Sequence, residues 1–597
     1  MARKWVVLTC VAVLAMLLAS CGSSSSPSTS GGGTAGAVKG GTLNMLGTGD
    51  VDYMDPNISY YTTGYLALRM YSRQLLTYPA VAGQTTNLVA DLATNVPTTA
   101  NGGISADGLT YKLTIRGGAM WNTTPPRQVT AADAVRGLER TCNPAQPFGG
   151  LPDFESLIAG MQAFCDSFAK VAQTPAAIEA FLSSNSMAGV SVDPSNPLTV
   201  VYKLTRPATY FPNQLAMPAY SPAPVEFLQY LPASNALAQH TISDGPYMIQ
   251  SYDPAKSVVF VRNPSWSAST DLVRKAYVDK IVVNETGSQA GIQQQLQTNT
   301  AAADMGWDAS VPTNDIPGLL ASKDPGLTLG PTFGTSPYVL FNTVSPNNSG
   351  ALGNVAVRQA LEYAINRTDL VQDDGGPVVS PPLTHILPPG IVGSVAANPY
   401  PSDTQKATQM LSAALPGAHL TLKVLYQSAL GYEVNMFQTL QSDLTKVGIA
   451  VTGVPSTSSD FYTKFLEVPS VAHGGVWDIA LANWLPDWYG NAALSFFEPL
   501  FAGAPSFPPA GSDFGFYDDS KTDQLIQEAS TATSSTQASS LWAQADAQVM
   551  SDAAIFPITS PTQPVYHATQ VHNAVFVPQL FQFDPTNVWL TPSVNGD

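Results

Sequence analysis

The folded part of the chain opens in short runs with a period of two. Positions 39–46, with Gly40-Gly41 as a turn ahead of Thr42, read as a first strand, and β-rich runs return at 109–115 and 198–204. Asp107-Gly108 in front of the second run predicts a hairpin turn. Thr130, followed three positions later by Asp133, carries a capping-box pattern and predicts a helix to about Arg140. The second half changes rhythm. Asn354 caps an apolar stripe of Val357, Ala360, Leu361, Ala364 and Ile365, and Ser402 caps another with Ala407, Met410, Leu411 and Ala414. Leu420, Leu422, Val424 and Tyr426 then predict a strand, and Val434, Phe437, Leu440, Leu444 and Val447 a helix stopped by Gly448, before a strand at 449–454. That strand–helix–strand unit predicts a right-handed parallel crossover. No segment repeats. The pattern is a β-rich first half and an α/β second half.

The first residues carry a different signal. Arg3 and Lys4 precede an apolar run from Trp5 to Ala19, short of the roughly 20 residues of a membrane span and typical of an export leader. Leu18-Ala19-Ser20-Cys21 resembles the lipobox of bacterial lipoproteins. The resemblance implies removal of a signal peptide over 1–20 and a diacylglycerol on the thiol of Cys21. The alternative is ordinary cleavage with Cys21 a bystander. Serine and glycine then dominate 21–38, a flexible tether. This places the folded body on the extracytoplasmic face of the cell membrane, held by its lipid alone.

Export bears on the cysteines. Cys10 leaves with the leader and Cys21 is lipidated, so Cys142 and Cys165 are the remaining pair, and outside the cytoplasm such thiols oxidise to each other. They close a loop of about 24 residues, for which chain entropy gives roughly 3–3.5 kcal/mol. The alternative is two free buried thiols.

Composition narrows the function classes. The 597 residues, 44 % apolar, suffice for two or three packed domains. Acidic residues outnumber basic ones 43 to 26, for a net charge of −17, which argues against a nucleic-acid partner. The six His show no close pair on a helical face, so no metal cage is visible and no metal or other cofactor is implied. Asp50, Asp52 and Asp55 lack EF-hand spacing and read as a solvated turn. There is no Gly-x-Ser-x-Gly elbow, no His-Glu-x-x-His and no phosphate loop, so the chain does not read as an enzyme.

Several ordered segments point to one family. They are Gly40-Gly41-Thr42-Leu43 with Asp55-Pro56; 88–93 with Asp107-Gly108-Leu109-Thr110-Tyr111, Ile115-Arg116-Gly117-Gly118 and Met120-Trp121, running into 129–135; Gly245-Pro246-Tyr247 with Arg262-Asn263-Pro264; and Phe341-Asn342-Thr343 with 357–367. Together they resemble the extracytoplasmic solute-binding proteins of ABC importers, in the oligopeptide/dipeptide/nickel-binding family (family 5), over about residues 40 to 570. Most of these residues have structural roles of their own: Arg358 and Arg367 read as fixing helix ends or packing, and Gly245-Pro246-Tyr247 as geometry at a strand start.

The resemblance implies an α/β, two-lobed, periplasmic-binding-protein-like fold (type II, large cluster C form) with an extra β-rich domain, closing on its ligand by a hinge. Its expected limits are 39–78, 235–330 and 559–597 for lobe I, 79–234 for the inserted domain, and 331–558 for lobe II. It also implies a monomer that delivers a short peptide to an ABC permease and its ATPase subunits.

The segment Trp477 to Tyr489 holds the candidate site. In peptide-binding members the matching Trp-x-x-Asp uses its aspartate on the peptide's α-ammonium, which here is Asp487. A cation in a closed cleft needs a carboxylate opposite it. Asn483, Trp484, Leu485, Trp488 and Tyr489 complete the expected ligand-binding set, the aromatics as flat apolar walls. The alternative is a solvated loop Asp after a core Trp. Leu481 stands where some peptide-binding members have Arg, and Thr559 where a cleft Tyr is common, so a carboxylate-terminus clamp is not evident. The same fold with an oligosaccharide, chelated metal, haem or opine-like solute is the second reading. A secreted hydrolase or cell-wall structural lipoprotein is the third.

Overall fold

Thr42–Leu46 alternates as expected: Leu43 and Met45 are fully buried while Asn44 is only half so. It lies between Met305–Gly306 and Lys280–Asn284, parallel to both, and the sheet continues through Ser257–Arg262 and Tyr247–Asp253 in antiparallel register. Ile281, Val283, Val258 and Phe260 join Leu43 and Met45 in one core with the helix Thr62–Tyr71. Gly245 precedes the last of these strands; a Cβ there would come within 2.7 Å of the Met70 carbonyl oxygen, so the segment does serve chain geometry.

The computed structural model describes residues 36–591 apart from 300–302, 333, 418, 429, 458–459 and 509–510, and this part of the chain from Gly36 onward is one unit. The expected leader, Cys21 and the tether as far as 35 lie outside the described residues. Among the described residues no helix is long and apolar enough to cross a membrane.

A second five-stranded sheet is ordered Ala450–Ser456, Thr421–Gln427, Ile479–Trp484, Thr335–Phe341, Ile555–Pro557. The first three strands are parallel and the last two antiparallel to their neighbours. Ile479, Ala480, Leu481 and Ala482 are all fully buried, because helices cover both faces of this strand. Ile479 and Leu481 pack with residues of Val355–Ala364, Thr404–Ala414 and Gly431–Lys446, whereas Ala480 and Ala482 share a core with Phe496 and Trp542. The predicted parallel pairing of 421–427 with 450–456 is present, and Gly448, at φ +86°, turns the chain between helix and strand. Each sheet has its own core, and the architecture is two-lobed α/β.

The expected helix starts carry caps. Thr130 and Asp133 form the reciprocal capping box and Asn354 accepts from the Ala356 amide. The cap before Thr404–Ala414 is Asp403, not Ser402: the Asp403 carboxylate accepts from the Lys406 amide at 2.9 Å. Arg358 donates to the carbonyls of Leu352, Asp552 and Ala553, and Arg367 donates to the Pro557 carbonyl and lies over the Phe556 ring, so both arginines are packing elements.

Between the strands of the first sheet the chain builds a three-stranded sheet, Thr110–Thr114, Asn196–Lys203 and Val190–Asp193, with Ala131–Arg140, Leu151–Leu157, Met161–Phe168 and Pro175–Ser184 as its helices. A disulfide joins Cys142 to Cys165 with the Cα atoms 5.1 Å apart. Next to the first sheet, Arg73, Asp91, Asp271 and Arg274 form a wholly buried ion network, and Arg69 pairs with Asp584 at 2.8 Å.

Candidate functional site

Asp487 lies on the loop that leaves the strand Ile479–Trp484. Three bonds to one serine shape that loop. The Trp484 indole donates to the Ser495 carbonyl (2.7 Å), the Asp487 amide donates to Ser495 Oγ (2.8 Å), and Ser495 Oγ reaches back to Asp487 Oδ2 (3.3 Å). Ser495 itself is held in the helix Leu494–Phe501.

From the other lobe comes Tyr60, whose hydroxyl donates to Asp487 Oδ1. Its position follows from Asp52, whose carboxylate accepts from Ser59 Oγ (2.7 Å) and from the amides of Tyr60 and Tyr61 (2.6 and 3.1 Å). The reading of Asp50, Asp52 and Asp55 as a solvated turn is thereby corrected. Asp55 is buried against Arg140 and accepts from the Asn57 amide, while Asp50 accepts from the Tyr252 hydroxyl at 2.8 Å. Each carboxylate closes a loop that backbone donors alone leave open.

Burial raises the Asp487 carboxyl above its ordinary range, against the hydrogen bonds from Tyr60 and Ser495 that lower it. Among the described residues no basic side chain pairs with it. A half-buried carboxylate with neutral donors has its charge uncompensated and can accept a cation.

The remaining expected residues divide. Asn483 and Trp484 are half-buried and Leu485 is 44 % exposed, so all three keep some surface open to solvent. Asn483 Oδ1 accepts from Ser336 Oγ at 2.7 Å. Trp488 and Tyr489, expected as walls, are packed inside. Trp488 stacks on Tyr210 (5.7 Å between centroids) and donates to the Asn491 carbonyl. Tyr489 inserts into the core of the first lobe, where its hydroxyl donates to the Pro578 carbonyl (3.0 Å) and its backbone exchanges bonds with the Tyr78 hydroxyl. These two rings pin the loop to residues far from it in the chain, next to Asp487. Gly490, at φ +76°, then turns the chain where a Cβ would meet Asn213 at 3.0 Å.

The family model for bacterial extracellular solute-binding proteins, family 5, matches residues 87–507. The chain belongs to that family. Among curated relatives, the "Probable di/tripeptide-binding protein 5" of Pseudomonas aeruginosa (strain UCBPP-PA14) is 25 % identical over 476 residues, 77 % of this chain and 80 % of the relative. Heme-binding protein A of Haemophilus influenzae (strain ATCC 51907 / DSM 11121 / KW20 / Rd) is 23 % identical over 488 residues, covering 76 % of this chain and 77 % of that one. Among solved structures, clavulanic acid biosynthesis oligopeptide binding protein 2 superposes with a TM-score of 0.81 at 21 % identity, over 93 % of this chain and 96 % of that one. The family's two-lobed frame is therefore this chain's frame, and the Asp487 loop bridges its halves.

Tyr60, Ser495 and the anchoring role of Tyr489 were outside the reach of the sequence pattern. Tyr60 and Tyr78 stand more than four hundred positions from their partners Asp487 and Tyr489 and leave no local spacing to read, and a serine eight positions from Asp487 is one small polar residue among many.

Proposed function

We propose that this family 5 solute-binding protein is the lipid-anchored receptor of an ABC importer, which captures short peptides in the cleft between its lobes and hands them to a permease driven by separate ATPase subunits. The observation that carries the reading is Asp487: a half-buried carboxylate at the lobe junction that, among the described residues, accepts from the hydroxyls of Tyr60 and Ser495 and pairs with no basic side chain. A peptide's α-ammonium supplies that charge. The rest of the peptide binds through main-chain hydrogen bonds, which read any sequence, with its side chains in hydrated pockets. The names of the di/tripeptide-binding relative and the oligopeptide-binding structural neighbour agree with a peptide ligand.

In this reading 1–20 is the signal peptide, Cys21 carries the lipid and 21–38 is the tether. Lobe I comprises 39–78, 235–330 and 559–597, the inserted domain 79–234, and lobe II 331–558. The protein acts as a monomer on the extracytoplasmic face of the cell membrane and catalyses nothing.

The heme-binding relative favours a second reading, in which the same cleft takes a non-peptide solute. Native mass spectrometry of protein purified from its own host separates the two. A ladder of co-purifying peptide masses supports the first, and a single discrete non-peptide mass supports the second and overturns the first.

A further inference from the structure

Asp487 has carboxylate company. Ser495, its partner, stands three residues before Glu498 on the helix Leu494–Phe501, so both side chains leave the same face. Asp153 approaches from the inserted segment. Its neighbour Phe154 stacks on Phe148 (5.2 Å between centroids), and Phe148 meets edge-on (5.1 Å) the ring of Tyr60 that donates to Asp487. Asp487 and Glu498 both lie within electrostatic range of Asp153.

Among the described residues Arg206 is the one cation that bears on Asp153 and Glu498, and none bears on Asp487. Arg206 lies near Asp153 and Glu498, but its guanidinium donates to the Tyr210 hydroxyl at 2.7 Å and, among the described residues, forms no salt bridge with either carboxylate. Asp153, Glu498 and Asp487 are each half-buried, so they are neither fully hydrated nor sealed in.

Two open hydroxyls accompany these carboxylates. Tyr65 is 6 % exposed and Tyr220 fully buried, and neither hydroxyl has a hydrogen-bond partner among the described residues. Tyr65 lies close enough to Asp487 to feel its charge, and Tyr220 likewise to Asp153. Buried hydroxyls are normally bonded, so this pair marks a site completed by something the protein does not supply.

We propose that Asp153 and Glu498 form a second cation subsite beside Asp487, which makes the protein selective for peptides with lysine or arginine in the first two positions. The inference rests on the peptide reading, because the α-ammonium at Asp487 sets where the first side chains fall. A long basic side chain then carries its charge to the adjoining carboxylates, and its donors reach the open hydroxyls.

The test is capture from a random library of tri- to nonapeptides by the purified protein, with bound peptides sequenced by mass spectrometry. Lysine and arginine together should be enriched at least about fivefold at the first two positions, as befits charges paired in a shielded site. In the Asp153→Asn/Glu498→Gln double variant, matched to the parent by circular dichroism and a cooperative melt, that enrichment should fall to about the input level. Captured peptides without basic enrichment would overturn the subsite and leave the peptide reading intact. Enrichment unchanged in the double variant would place the second cation elsewhere and also overturn it. Capture of no peptide at all would overturn both.

Discussion

Tyr60 and Asp487, 427 positions apart in the chain, share a hydrogen bond in which the phenol donates to the carboxylate. Asp52 holds the first residue and Ser495 the second, each through its own loop, so the bond joins two independently built pieces. It occupies one oxygen of the only carboxylate in the Trp484–Tyr489 loop. A ligand ammonium shares the carboxylate with Tyr60 and Ser495 or displaces one of them, and the exchange favours the ammonium because a pair of two charges replaces a bond in which only the acceptor is charged.

Asp487→Asn keeps the size and polarity of the side chain and removes its charge. A bound ammonium then lacks its counter-ion in a shielded place, a loss of about 2–5 kcal/mol. Each ~1.4 kcal/mol is tenfold, so affinity for free-amine peptides should fall by an order of magnitude or more in calorimetric titration. N-acetylated forms of the same peptides should bind the parent protein poorly and lose much less on mutation. Equal losses for both peptide forms, or none for either, would make Asp487 structural.

The raised Asp487 carboxyl sets a pH dependence whose sign is fixed. Binding a cation requires the carboxylate, and burial shifts protonation to a higher pH than an exposed aspartate shows. Affinity for free-amine peptides should therefore be full at neutral pH and decline on acidification before the ordinary aspartate range near ~3.9 is reached. Tyr60→Phe removes a bond that lowers this pKa, so the decline should begin at still higher pH. Titrations at a series of pH values, with acetylated peptides as the control, read this directly. Superimposable profiles for the parent and Tyr60→Phe would refute the coupling.

The disulfide between Cys142 and Cys165 spans 23 positions and restrains the unfolded chain by closing that loop. Replacing both cysteines with serine should cost roughly 2–4 kcal/mol in denaturant melts, with the loss confined to stability. Reduction of the parent protein should lower its melting temperature in the same direction. A double variant within ~0.5 kcal/mol of the parent, the size of an ordinary surface change, would show that the crosslink is dispensable.

What could be read from the sequence, and what could not, follows from range. The capping box at Thr130–Asp133, the turn at Gly448 and the parallel pair 421–427 and 450–456 all rest on residues close in sequence, and all are present. Ser402 and Asp403 are both good caps, so the signal is degenerate by one position, and the carboxylate of Asp403 takes the role. Asp50 and Asp55 resemble a hydrated turn because their partners Tyr252 and Arg140 lie on other elements, and Asp52 does because Ser59, Tyr60 and Tyr61, which it binds in the same loop, form no recognisable motif with it. Trp488 and Tyr489 were expected as walls for a related reason: an aromatic ring with a polar tip suits a cleft and a core equally well. The carbonyls of Asn491 and Pro578 decide between them, and the Pro578 carbonyl lies far along the chain.

The buried network beside the first sheet gives the strongest stability prediction. Asp91 accepts from Arg73 and Arg274 at 2.8 Å each, and all three side chains are fully buried. Asp271 completes the set. Burial pushes its carboxyl up, but Arg73 and Arg274 more than offset this and hold it well below the usual range, so its contribution is present at neutral pH and lost only as strong acid protonates it. Asp91→Asn leaves two buried guanidinium groups facing one carboxylate. Breaking a buried pair from one side costs about 3–5 kcal/mol, because the remaining charge is desolvated without compensation. Lys112 and Asp193 form the contrasting case: their 3.0 Å pair has a half-exposed lysine, and Lys112→Ala should cost less than about 1 kcal/mol. Urea melts of both variants test the contrast. Similar small losses for the two would mean that the arginines find other partners when Asp91 is neutralised, and that the network does not act as a unit.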